Sequence, residues 1–86
     1  MKDLTVSLND IRLFVEVAHH LNISRAAEVL NMPNSTLSRR ISALEQQLGI
    51  RLLHRTTRQI SLTTPGQQYF QRCMRVLSEF NFATAE

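Results

Sequence analysis

Cysteine is almost absent from this 86-residue chain: Cys73 stands alone, which excludes an internal disulfide. The three histidines, His19, His20 and His54, do not fall at zinc-ligand spacing with it or with one another, so no metal site is expected. Glycine and proline are as scarce, two of each, which leaves no low-complexity linker; with 43% hydrophobic residues, the composition describes one ordered domain built mainly of helices. A chain of this length buries only about 60% of its unfolded surface, so the core must be thin. No apolar run approaches the roughly 20 residues of a membrane span. The N-terminus also lacks the charged-then-apolar order of a signal peptide, and a soluble, cytoplasmic protein is expected. There is no glycine-rich phosphate loop, nucleophile elbow or acid pair, so neither catalysis nor a cofactor is expected.

What the chain does contain is positive charge gathered in one place. Residues 34–58 hold Arg39, Arg40, Arg51, Arg55 and Arg58 against Glu45 alone, a net +4 that leaves −1 for the rest of a chain whose total is +3. Such a segment suits a polyanion better than a uniformly basic surface would.

Helical periodicity accounts for most of the length. Ser7 and Asp10 have capping-box spacing and open a first helix running to about Leu21, with Leu8, Ile11, Phe14, Val15, Ala18 and Leu21 as its core stripe. Leu13 and Val17 fall off that stripe and suggest a second apolar contact. Asn22 or Ser24 caps a short second helix to about Leu30; its Ala26 and Ala27 permit close approach, and Val29 and Leu30 supply apolar contact. After Asn31 and Met32, Pro33 suits the first turn of a third helix over residues 34–48, which Gly49 ends. Leu37, Ile41, Leu44 and Leu48 form its inward stripe, while Ser35, Arg39, Ser42 and Gln46 point outward. That outward face of hydroxyls, an amide and an arginine, without a carboxylate, fits a groove of phosphates and base edges.

The period then changes to two. Residues 53–62 read as a hairpin, or wing, with Leu53 and Arg55 on one strand, Ile60 and Leu62 on the other, and Thr56 to Arg58 turning between them. Thr63 or Thr64 caps a fourth helix with Pro65 in its first turn; if Thr64 is the cap, Gln67 completes a capping box. Tyr69, Phe70, Cys73, Val76, Leu77 and Phe80 share an arc of about 120° on it. Folding back on helix 1 would account for the first half of this stripe, and a second copy of the chain is expected to cover its far end; the two are compatible if Leu13 and Val17 pack on one flank.

Ala26–Ala27, Leu30, Leu37–Ser38–Arg39, Leu44–Glu45, Leu48–Gly49, Leu52–Leu53, Arg55, Arg58, Leu62–Thr63 and Gly66, in this order and spacing, resemble the N-terminal domain of LysR-type bacterial transcriptional regulators. The resemblance implies a mainly α winged helix-turn-helix over residues 1–63 and a linker helix over 64–86 that pairs two subunits. It also implies that double-stranded DNA is the partner, with helix 3 in the major groove and the wing in the minor groove. The resemblance also implies a small-molecule-binding effector domain, into which family members continue and which is expected to lie outside these 86 residues. Carried over by position, Asn34, Ser35, Ser38 and Arg39 match helix residues that contact DNA, and Arg55 and Arg58 match wing arginines. Many members have Ser-Gln-Pro where Pro33, Asn34 and Ser35 stand here, so a shorter amide replaces glutamine.

From their chemistry, Arg39 suits a guanine edge or a phosphate, and Ser35, Thr36 and Ser38 suit either phosphate anchoring or helix capping. Ser42 completes the outward set, and Arg55 and Arg58 bracket the wing turn, where cations reach a narrow minor groove. Arg40 suits an ion pair or a phosphate, and Glu45 a structural arginine partner. A winged-helix module that uses the same basic face on an acidic protein is the alternative.

Overall fold

The computed structural model describes residues 6–56 and 59–84, with side chains through Phe80. The order is α1 (Leu8–His20), α2 (Ile23–Leu30), α3 (Asn34–Leu48), β1 (Leu53–Arg55), β2 (Ile60–Leu62) and α4 (Thr64–Thr84). This is the mainly α winged helix-turn-helix with a long fourth helix that the chain's periodicity and resemblance imply. None of the helices among the described residues is long and apolar enough to cross a membrane.

Local chemistry sets the boundaries. Ser7 Oγ accepts from the Asp10 N–H at 3.1 Å while Asp10 Oδ2 accepts from the Ser7 N–H at 3.2 Å, so two amides at the start of α1 are satisfied reciprocally. Asn22, not Ser24, caps α2 by accepting from the Arg25 N–H. Pro33 sits just outside α3 rather than in its first turn, with ψ 149°, and contributes no side-chain cap. Gly49 closes α3 at φ +73°.

α1 packs against α2, α3 and α4, and this central position corrects its expected stripe. Leu13, Phe14, Val17 and Ala18 are the buried residues, with Ile11 and Val15 on the margin. A helix surrounded on three sides buries a wider arc than one lying on a surface, so Leu13 and Val17 join the domain's own core instead of awaiting a second partner. Leu21 is 44% exposed because it is the left-handed C-cap of α1, at φ 52°, and no longer follows the helical period. Val29 is 56% exposed: the seam of α2 runs through Ile23, Ala26, Ala27 and Leu30, and Val29 lies off it. Leu37, Ile41 and Leu44 of α3 complete the centre with Leu52 and Leu53.

β1 and β2 pair antiparallel, with Leu53 opposite Leu62 and Arg55 opposite Ile60. The base of this wing is fastened to α4 at one corner. Thr63, the cap of α4, donates its hydroxyl to the Arg51 carbonyl at 2.6 Å and accepts the Gly66 N–H at 2.9 Å, while its own N–H donates to the Leu52 carbonyl at 3.0 Å. With Thr63 as the cap, the third residue of the helix is Gly66, and the capping box through Gln67 is not made. A Cβ on Gly66 would overlap the Leu52 carbonyl oxygen, so the crossing of wing and helix requires glycine.

α4 divides its apolar stripe. Cys73 is 2% exposed, and the rings of Tyr69 and Phe70 lie 5.5 and 6.4 Å from that of Phe14. These three residues, part of the stripe expected to pair two subunits, hold α4 onto α1, as a helix folded back on helix 1 does. Beyond them Met74, Val76 and Phe80 are 46, 43 and 48% exposed, and Leu77 is half-buried.

Candidate nucleic-acid interface

α3 separates two chemistries by rotation alone. Its apolar side faces the core, whereas Asn34, Ser35, Arg39, Ser42 and Gln46 are exposed and Thr36 and Ser38 half-buried. Because Pro33 offers no side-chain cap, the hydroxyls of Ser35 and Thr36 lie at an open, electropositive helix end. Asn34 is held from outside the helix: its Nδ2 donates to Ser24 Oγ at 2.8 Å, which joins the first turns of α2 and α3. Sequence periodicity does not reveal this bond, because the two residues lie ten apart and share no periodic relation.

An open groove of about 750 Å³ runs between α3 and the wing, lined among others by Arg39, Ser42, Glu45, Gln46, Arg51 and Arg55. Three arginines on one groove concentrate the positive field that the charge distribution implied. Arg51, part of that charge, lines this groove from the loop between α3 and β1, a placement that helical periodicity does not give.

Arg55 departs from its expected position. Its guanidinium does not extend from the wing; it lies back against α3, with Nη1 donating to Ser38 Oγ at 2.8 Å and Nη2 to Ser42 Oγ at 3.4 Å. Glu45 Oε1 stands 4.0 Å from Nη2. Ser38, Ser42 and Glu45 recur at helical spacing, so they form one strip along which the arginine can lie. Arg58 lies outside the described residues.

Two charges serve the scaffold. Arg40 reaches Asp10 at 3.4 Å and links α3 to the start of α1, which resolves its alternatives toward the ion pair. Glu45 is more than an arginine partner, since its Oε2 also accepts from the Leu52 and Leu53 N–H groups at 2.8 and 3.1 Å. Far from this face, His20 pairs with Glu16 at 3.3 Å, and the His19 and His20 rings meet edge to face. Among the described residues, no three His, Cys, Asp or Glu side chains converge on a point that would hold a metal.

Known proteins share this arrangement. A family model described as bacterial regulatory helix-turn-helix protein, lysR family, matches residues 8–67. The HTH-type transcriptional regulator CrgA of Neisseria meningitidis serogroup C (strain 8013) is 49% identical over 77 residues, 90% of this chain and 26% of CrgA. An HTH-type transcriptional regulator of Xanthomonas campestris pv. campestris (strain 8004) is 44% identical over 80 residues, 93% of this chain and 23% of that protein. The chain thus spans about a quarter of the length of the curated relatives it matches. Among solved structures, the BenM DNA-binding domain in complex with catB site 1 DNA matches with a TM-score of 0.89 at 32% identity, over 93% of this chain and 89% of that one. The CbnR DNA-binding domain in its DNA complex matches with a TM-score of 0.85 at 29% identity, over 91% and 90%.

Proposed function

The chain belongs to the lysR family of bacterial regulatory helix-turn-helix proteins, and from that premise we propose that it binds double-stranded DNA sequence-specifically as the reading end of a dimeric transcriptional regulator. The observation that carries this reading is the exposed face of α3, which presents hydroxyls, amides and Arg39 beside a groove lined by Arg51 and Arg55. Residues 1–63 then form the reading unit and residues 64–86 the helix that joins two of them.

In this reading α3 enters the major groove. Ser35 and Thr36 bind phosphate at the helix start, Asn34 is steadied by Ser24, and Arg39 takes a guanine edge. Ser38, Ser42 and Arg55 act as a group at the groove wall, so Arg55 serves the helix more than the wing tip. Arg58 keeps its assignment to the minor groove on sequence grounds. The DNA complexes of the BenM and CbnR domains, similar along nearly the whole chain, support the same class of ligand.

Duplex affinity measured against salt tests the proposal. Six phosphate contacts per subunit give a log–log slope of roughly −5, at about −0.9 per contact. Selection of bound duplexes from a random pool should return half-sites whose centres lie about 34 Å apart, or a multiple of that. If no duplex binds even at low salt, the basic face passes to the alternative partner, an acidic protein.

A further inference from the structure

We propose that Glu45 is the positioning residue of this interface: it contacts no DNA, and it sets sequence discrimination by fixing Arg55 and the wing relative to α3. The inference rests on the DNA-reading function above and adds a residue to it.

One carboxylate performs both tasks. Its Oε2 accepts the N–H groups of Leu52 and Leu53, the buried residues that begin the wing, at 2.8 and 3.1 Å. Its Oε1 lies 4.0 Å from Nη2 of Arg55, whose two terminal nitrogens also bond Ser38 and Ser42 at 2.8 and 3.4 Å. With a side-chain exposure of 13%, Glu45 is shielded from solvent, so its negative charge acts on the guanidinium with little screening. It lines the groove together with Arg39, Ser42 and Arg55. A carboxylate on a DNA-binding face repels phosphate unless a cation offsets its charge; here the nearby Arg55 guanidinium offsets it while two backbone N–H groups donate to its other oxygen. The arginine is thereby kept flat along α3, with its remaining N–H groups at fixed positions.

Glu45→Gln tests this. The carboxamide retains an oxygen for the two amides and turns an NH2 toward Arg55, donor against donor. Affinity for a duplex selected from a random pool should fall roughly tenfold, while affinity for its scrambled version changes by less than about twofold. In an Arg55→Ala background the same substitution should cost less than about twofold further, because the residue it acts through is gone. Equal losses on both duplexes, or the same factor in both backgrounds, would overturn the inference. If Glu45→Gln does not fold, Arg55→Lys decides: a point charge cannot span the two serines and the carboxylate, so it should discriminate as poorly as Arg55→Ala. Recovery of the original selectivity by lysine would also overturn it. An unsubstituted chain that binds neither duplex removes the DNA-reading function and this inference together, whereas binding with additive losses removes this inference alone.

Discussion

Gly66 and Arg39 are the positions where one side chain, or its absence, has the clearest consequence. Gly66 lets the first turn of α4 cross the Leu52 carbonyl, and its N–H completes the Thr63 cap. Gly66→Ala must push backbone against backbone, and overpacking of this kind costs about 3 kcal/mol. For a domain of this size, calorimetry should record a Tm lower by more than about 10 °C. Arg39 carries no comparable structural duty, being exposed on the outward face of α3. Arg39→Ala should leave Tm unchanged and relax selectivity at one base pair by about 1–3 kcal/mol, read by competition between single-base variants of the selected duplex. Equal weakening on every variant would reduce Arg39 to a phosphate anchor.

Among the elements, the seam between α1 and α4 has its own titration. Burial pushes the Cys73 thiol up from 9.0 to about 11, and burial together with the neighbouring Cys73 pushes Tyr69 up from 10.0 to about 12. In an unfolded chain both groups ionise earlier, so folding is favoured fully below about pH 9 and progressively less as pH rises toward 11 and 12. The chain has one cysteine and one tyrosine, which makes the effect assignable. Tm should fall between pH 9 and 11, and the slope should flatten in a Tyr69→Phe, Cys73→Ala double variant. An unchanged slope would trace the alkaline loss to another part of the molecule. α3 works by the opposite economy: its inward leucines and isoleucine carry the packing, which leaves its outer residues free to meet a ligand.

For the molecule as a whole, the question is what meets the outer half of α4. Tyr69, Phe70 and Cys73 are spent on the domain's own core, so a second subunit would meet Met74, Val76, Leu77 and Phe80. Val76→Glu should therefore yield monomers by sedimentation without lowering helicity, whereas a dimer that persists would place the interface elsewhere. Much of the architecture is legible in the sequence because it depends on residues within about four positions of each other: the Ser7–Asp10 box, a cap for α2 at Asn22 or Ser24, the Gly49 stop, the two faces of α3 and the alternation of the wing. The family resemblance was legible for the same reason, as ordered spacing along the chain. The buried arc of α1, the exposure of Val29 and the division of α4 were not, because each depends on which other helices surround that element. Arg55 is the sharpest instance: its place in the chain put it on the wing, yet its side chain lies on a helix seventeen residues away. Periodicity and capping thus settled what the elements are and which face of α3 is polar. Packing between distant segments, through Thr63, Gly66 and Glu45, settled how helix and wing are held against each other as one surface.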